Sequence, residues 1–334
     1  MDIVKPSEED IQEILSVVNV DKFLNSTGDN SVIEMDLYNK HYKIMNGVYI
    51  NVFIDMLCDA NCPFCINKAK EIVNPSFKRD VKNISLNEFI HKFDELYDNL
   101  YNNMSAKPIV NITGGEPTIS PRFIPFIQHL LKRRIGFEII TNTTNLHKDY
   151  ILQNMMYNCK SINISRNHYD DDKNKELMNL NVKVTNENLK KAVEFVTNNF
   201  QVNRIYSVGC VMMKNGIHTL EDIKKYIDTY SYINPSLFFV RQMENVSDYL
   251  HNKDDYDKIM WKYEWIENDL LNDNDFKLIG KRETEKHAID ITFMYKNKYT
   301  VIFSARPDQA PLESEISRKF TTRIILLPNG QVVI

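Results

Sequence analysis

The sequence predicts an α/β fold: a partial (β/α)6 TIM-like barrel of parallel strands, with a short N-terminal extension and a C-terminal α+β appendage. Three observations carry this prediction. Between residues 47 and 245, six runs rich in β-branched and aromatic residues alternate with amphipathic helical stretches, an order that makes a parallel sheet. The chain has 334 residues, about twice a typical ~150-residue domain, so a large α/β unit fits. Beyond Asn245 the alternation gives way to a long helical stretch and hairpin-like pairs. The expected organisation is an extension over 1–46, a core over 47–245 and an α+β region over 246–334.

Taking the elements in order, Ser7 opens an amphipathic helix to about Asn19, and NSTGDN at 25–30 reads as a polar loop. The run over 47–58 reads as a buried strand that ends at a cysteine. Ser85 and Glu88 form a capping box ahead of Phe89, Phe93, Leu96 and Leu100 at helical spacing. Strands follow over 108–113, 137–141, 161–165, 204–213 and 236–240. The helices between them cover 120–133, 148–157, 186–198 and 219–230, the first with Ser120 as cap and Pro121 at its first position. The C-terminal region predicts a helix over 255–271 and strands over 288–295 and 299–304. A last hairpin turns on Asn329-Gly330, a pair suited to a two-residue loop.

Composition narrows the function classes. Apolar residues make up 43%, charged residues 26% and aromatic residues 11%, which excludes a disordered chain, collagen or a coiled-coil rod. The 41 Lys and Arg against 45 Asp and Glu give a net charge of −4, so no nucleic-acid or anionic-membrane partner is expected. The best apolar run, over 47–58, is interrupted by Asn51 and Asp55 and falls short of the ~18 residues of a membrane span. The first residues, MDIVKPSEEDIQ, lack the basic-then-apolar order of a secretory signal, so a cytoplasmic location is expected.

Of five cysteines, three crowd into eight positions as Cys58-Asp-Ala-Asn-Cys62-Pro-Phe-Cys65, directly after a predicted strand. Three thiols on one loop suit an inorganic cluster with an open fourth position, whereas zinc asks for a fourth Cys or His that is not near. About fifty residues on, Thr113-Gly-Gly-Glu-Pro117 ends the second core strand. Glycine occurs only nine times in the chain, so an adjacent pair at a strand end marks a sharp bend or a close approach.

These two motifs resemble those of the radical S-adenosylmethionine (SAM) superfamily, over roughly residues 47 to 244. The flavour is loosely that of the branch containing the molybdenum-cofactor GTP cyclase and peptide-modifying enzymes, with no further cysteines after Cys210 for an auxiliary cluster. The resemblance implies a 4Fe-4S cluster on Cys58, Cys62 and Cys65 and SAM as second cofactor. It also implies cofactor contacts from Phe64, Gly114, Gly115, Glu116, Thr141, Asn142, Ser165 and Met213. The residues themselves also allow plainer roles: a cap or Asx turn for Thr141 and Asn142, a turn hydroxyl for Ser165, core filling for Met213.

Substrate-pocket candidates follow strand ends: Arg166, His168 and Tyr169 after one, Arg241 and Glu244 after another. Arg166 alternatively meets the SAM carboxylate, and Arg241 alternatively forms a structural ion pair. The Asp170-Asp171-Asp172 run reads as a solvated loop. Cys210 is either a buried core thiol or a hydrogen-atom donor. The expected activity is reductive cleavage of SAM to a 5′-deoxyadenosyl radical that takes hydrogen from a soluble substrate. A small metabolite, nucleotide or sugar is favoured over modification of a ribosomal peptide, with electrons from a flavodoxin or ferredoxin. The alternative from another class is an iron–sulfur electron carrier with Cys159 or Cys210 as fourth ligand.

Overall fold

A computed structural model of the chain describes residues 31–67, 82–199, 205–242, 266–283, 289–305 and 320–334, with Ser7 and Glu9. The expected N-terminal helix and loop, Glu244 and most of the expected helix over 255–271 lie outside the described residues.

The first described element was not anticipated. Strand β1 (Val32–Leu37) pairs antiparallel with β2 (Lys40–Phe53). Tyr38 and Asn39 between them both have positive φ, +52° and +63°, the geometry of a twisted two-residue hairpin turn. Strand β2 therefore starts before residue 47 and ends at Phe53, leaving 54–58 as irregular chain.

The alternation then runs as expected through α1 (Leu86–Asn103), β3 (Ile109–Thr113), α2 (Phe123–Lys132), β4 (Phe137–Thr141), α3 (Asp149–Met155) and β5 (Cys159–Ser165). The Ser85 hydroxyl caps α1 by accepting the Glu88 N–H at 3.2 Å. Helix α2 starts later than Ser120-Pro121, because Pro117–Ile119 form a separate 3₁₀ turn. Next comes α4 (Asp171–Met178), where a solvated loop was expected. Asp170 is its N-cap, accepting the Lys173 N–H at 2.8 Å, so the acidic run opens a helix. The core continues with α5 (Asn186–Asn199), β6 (Ile205–Met212), α6 (Leu220–Tyr230) and β7 (Leu237–Gln242).

Strands β2 to β7 lie side by side in chain order, all parallel. After the short α7 (Ile266–Leu271), the chain adds β8 (Phe276–Glu283), β9 (Ile289–Tyr295), β10 (Tyr299–Ala305), β11 (Thr321–Leu326) and β12 (Val332–Val333). These extend the same sheet at both edges: β10 pairs parallel with β7, and β11 pairs parallel with β2. The last hairpin is wider than a two-residue turn. Leu327 N–H bonds Gln331 C=O at 2.9 Å around Pro328, Asn329 and Gly330, with Gly330 at φ +79°.

One face of the parallel strands is the core. Ile50, Val52, Val110, Ile112, Ile139, Ile162 and Ile164 are fully buried against helix residues such as Phe89, Phe93, Phe126 and Leu130. Each such side chain contributes about 1.5–3 kcal/mol on burial. Alternation sends the neighbouring residues to the other, concave face, and polar groups gather there. Among the described residues no helix is long and apolar enough to cross a membrane.

Candidate functional site

The site is built at the C-terminal ends of β2 to β6. Past Phe53 the backbone of residues 54–58 runs alongside the loop that follows β3. Gly115 N–H donates to Asp55 C=O at 3.1 Å, and Glu116 N–H donates to Leu57 C=O at 2.7 Å. This approach requires the two glycines. A Cβ on Gly115 would lie 1.9 Å from the Leu57 oxygen, and one on Gly114, which also has φ +123°, would lie 2.5 Å from the Asp55 oxygen. The Asn67 carboxamide donates to Gly114 C=O from the far side of the cysteine loop.

The cysteine loop is gripped from a second direction by the end of α4. Asn61 N–H donates to both Met178 and Asn179 C=O at 3.1 Å, Asn181 N–H donates to Asp59 C=O at 3.0 Å, and Ala60 bridges Leu180. Cys62 Sγ donates to Met178 C=O at 3.3 Å. Ala60, Met178 and Leu180 form an apolar patch on which Cys58, Cys62 and Phe64 pack. Asn179, in the left-handed conformation at φ +46°, ends the helix and turns the chain onto the loop.

Glu116 joins the next strand end to this assembly. Its carboxylate is buried and accepts from Thr118 N–H (3.1 Å), Thr118 hydroxyl (2.5 Å), Thr141 hydroxyl (2.8 Å) and Asn142 N–H (2.6 Å). Burial pushes its carboxyl above the usual range, opposed by these four bonds. Asn142 in turn donates from its carboxamide to Asp59 Oδ1 at 2.7 Å and accepts from Thr144 N–H at 2.9 Å. The Asx-type turn and the tie to the cysteine loop are thus made by one side chain. Asp55, Asp59, Asn67 and Thr118 were missed in the sequence reading; only their position inside the two motif loops pointed to them.

The three cysteines are half-buried on one loop, and none of the five cysteines is in a disulfide. Among the described residues no three Cys, His, Asp or Glu side chains are gathered around one ion. An iron–sulfur cluster does not need that arrangement, because each cysteine binds a different iron. Three soft thiol donors on one tethered loop, beside two glycines that leave open backbone, fit such a cluster. Burial pushes the Cys58 thiol up to about 11, with Glu116, Asp59 and Cys65 adding to the rise, so thiolate there needs a cationic partner.

Other expected residues separate. Ser165 ends β5 half-buried, and Met213, fully buried, closes the turn after β6 with its C=O accepting from Gly216 N–H at 2.9 Å. Arg166, expected at the mouth, is fully buried among the helices instead. Its guanidinium donates to Tyr230 hydroxyl, Val184 C=O, Asp171 and Asn186, at 2.6–3.2 Å. A cation at the end of a buried strand is stable only with such partners, and these leave it as a brace. Its neighbour His168 is buried to 9% exposure, and its Nδ1 accepts from Asp170 N–H at 3.0 Å. Burial pushes its imidazole below the usual value, favouring the neutral form with the proton on Nε2. Tyr169 reaches Asp222 at 3.3 Å, with Lys225 over its ring at 4.4 Å. Arg241 is exposed on β7, five strands from β2 in the sheet order, with its guanidinium over Phe239 at 4.9 Å. Cys210 is a buried thiol beside Tyr226, pushed up to about 12 by burial, and Cys159 is buried at the start of β5.

Residues 56–229 match the family described as the radical SAM superfamily. No curated protein matches the chain. Among solved structures, Streptococcus suis SuiB bound to the precursor peptide SuiA aligns with TM-score 0.56 and 16% identity, over 87% of this chain and 60% of that one. The same protein bound to S-adenosylmethionine gives TM-score 0.54 and 17% identity over the same shares. At this identity the likeness is one of fold, and the chain spans about 60% of the length of that neighbour.

Proposed function

The chain belongs to the radical SAM superfamily, and from that premise we propose that Cys58, Cys62 and Cys65 hold one 4Fe-4S cluster at which SAM is cleaved reductively. When bound, the cluster would supply the one electron for reductive cleavage of SAM, the chemistry by which hydrogen would be taken from substrate. The single observation that carries the reading is the docking of the cysteine loop on Gly114 and Gly115. A Cβ on Gly115 would strike the loop backbone at 1.9 Å.

The chain's own residues then divide the work. The backbone beside Gly114 and Gly115 would hold the methionyl end of SAM. Thr141, Asn142 and Ser165, at neighbouring strand ends, would offer polar contacts to the ribose, and Phe64 and Met213 would supply the apolar side. Glu116 acts mainly by fixing the ends of β3 and β4, because its four hydrogen bonds all go to this chain. His168 and Tyr169 line the substrate side of the rim. The substrate is a soluble small molecule entering the polar concave face, and a cytoplasmic flavodoxin or ferredoxin supplies the electron. A second reading, modification of a ribosomal peptide, takes its support from the fold neighbour bound to its precursor peptide.

The test is anaerobic cluster reconstitution in the chain and in Cys62→Ala, Cys159→Ala and Cys210→Ala. Loss of the cluster in the first alone, with a change in its electron paramagnetic resonance signal on adding SAM, supports the proposal. Loss in Cys159→Ala or Cys210→Ala, without response to SAM, supports an electron carrier with a fourth thiol ligand.

A further inference from the structure

The C-terminal hairpin reaches the root of the cysteine loop. Strand β11 runs parallel to β2 with Leu326 opposite Val52, so the turn after it lies beside the residues that follow β2. There Leu327 and Phe53, both buried, form an apolar cluster of their own with Met56, Ile325 and Val333. Met56 stands two residues before Cys58. The terminal turn also meets the chain that leads into α1, where Ile84 N–H donates to Pro328 C=O at 3.2 Å.

One side chain fastens these segments together. The Arg122 guanidinium is buried, with the Phe89 ring 4.5 Å away. Its Nη1 donates to Ile54 C=O at 2.9 Å and to Pro328 C=O at 3.4 Å, and its Nη2 donates to Ile84 C=O at 3.3 Å. The root of the cysteine loop, the approach to α1 and the terminal turn thus meet on one planar fork. The Arg122 backbone adds a second tie: its N–H donates to Ser120 Oγ at 3.2 Å, and the Ser120 hydroxyl donates to Asp55 Oδ2 at 3.0 Å. Asp55 supplies the negative charge that the buried guanidinium needs, and its Oδ1 accepts from Leu57 N–H at 3.2 Å.

We propose that Arg122 is a positioning residue for the cysteine loop, and that the C-terminal hairpin, held by the same guanidinium, belongs to the cofactor site. Residues 54–58 are irregular chain past the end of β2, so strand pairing does not fix where Cys58 lies. Side chains and the neighbouring loop fix it instead. Two bonds come from the Gly-Gly-Glu loop, Gly115 N–H to Asp55 C=O and Glu116 N–H to Leu57 C=O. The other two, at Ile54 C=O and at the Asp55 carboxylate, both lead back to Arg122. Loss of the guanidinium strips the donor from the buried Ile54 carbonyl and frees the hairpin turn, while the three cysteines stay unaltered. A lysine keeps the charge and loses the reach, because one ammonium cannot serve three carbonyls around a planar fork. The assignment rests on the radical SAM reading for the identity of the cluster, and not for the tether itself.

The test compares the full chain with Arg122→Met, Arg122→Lys, Leu327→Ala and the control Asn158→Ala. Asn158 is fully buried and donates to Ile127 and Ile135 C=O at 3.1 Å just before β5, at the end of the sheet away from the cysteines. Thermal unfolding ranks the global stability of each variant. Amide hydrogen exchange over residues 54–62 is then read without cluster, and iron content and the electron paramagnetic resonance response to SAM are read after anaerobic reconstitution. Both Arg122 variants are expected to exchange this segment roughly tenfold faster or more, the worth of one hydrogen bond to a charged group, and to take up less iron with an altered response to SAM. Leu327→Ala, which loosens the hairpin and leaves the guanidinium in place, is expected to shift the same segment in the same direction, and it decides the matter if an Arg122 variant does not fold. Asn158→Ala loses global stability with exchange over 54–62 and iron uptake like the parent's. Parent-like exchange in folded Arg122→Met or Leu327→Ala, recovery in Arg122→Lys, or an equal effect in Asn158→Ala overturns the proposal. A parent chain that takes up no cluster contradicts the radical SAM reading, while the exchange comparison still decides the tether.

Discussion

The Asn142 carboxamide donates to Asp59 Oδ1 at 2.7 Å while the Asn142 backbone N–H donates to Glu116 at 2.6 Å. One residue at the end of β4 therefore ties the cysteine loop to the Gly-Gly-Glu-Pro loop. Asn142→Ala keeps the backbone bond and removes the side-chain one. The expected outcome is a folded protein, less stable by about 1–3 kcal/mol, with lower iron content after reconstitution. Urea unfolding and iron analysis on the same preparation check it.

Gly115→Ala is expected to be far more damaging than its size suggests. The added methyl carbon would sit 1.9 Å from Leu57 O, a backbone atom that moves only with the cysteine loop. At Gly280 a Cβ meets nothing within 4 Å, so Gly280→Ala is the matched control. Reconstituted iron per chain falls sharply in the first and stays level in the second.

Arg166→Met is expected to cost stability rather than SAM affinity. It leaves Asp171 and the Tyr230 hydroxyl without their buried partner, a loss of about 3–5 kcal/mol. Arg166→Lys does not rescue it, because one ammonium cannot serve four acceptors spread around a planar fork. Denaturant unfolding measures the loss, and SAM binding by the residual folded fraction stays unchanged.

Glu138 makes stability depend on pH in a stated direction. Its carboxyl is raised to about 7 from an ordinary 4.5, so the folded chain holds a proton that the unfolded chain has released. Its stabilising contribution is fully present below pH 4.5 and is lost as pH rises through 7. Glu138→Gln should match the parent near pH 4 and exceed it near pH 8, by about 3 kcal/mol at most. Unfolding curves at the two pH values check the sign, and an equal difference at both contradicts it.

The parts of this fold legible in the sequence were those set by local periodicity. The strands ending at Thr113, Thr141 and Ser165 and the capped helix after Ser85 follow from short-range pattern, as does the cysteine loop. What stayed hidden was long-range pairing. Nothing in the run Arg323 to Leu326 says that it lies parallel to β2, nearly three hundred residues earlier. The early part of β2 was missed because Lys40, His41 and Lys43 are exposed on a hairpin and give no apolar run. Arg166 was misplaced for a physical reason: it follows a strand end, yet its side chain turns back among helices to meet Asp171, the residue whose acidic run was taken for a loop. Arg122 drew no notice, because only the fold brings Ile54, Ile84 and Pro328 to one side chain.

The central claim is that Cys58, Cys62 and Cys65 support reductive cleavage of SAM. The direct measurement is anaerobic: reconstitute and reduce the full chain, add SAM alone, and quantify 5′-deoxyadenosine by liquid chromatography with mass detection. The account predicts 5′-deoxyadenosine from the parent chain and none from Cys62→Ala. A chain with full iron content and bound SAM that forms no 5′-deoxyadenosine contradicts it.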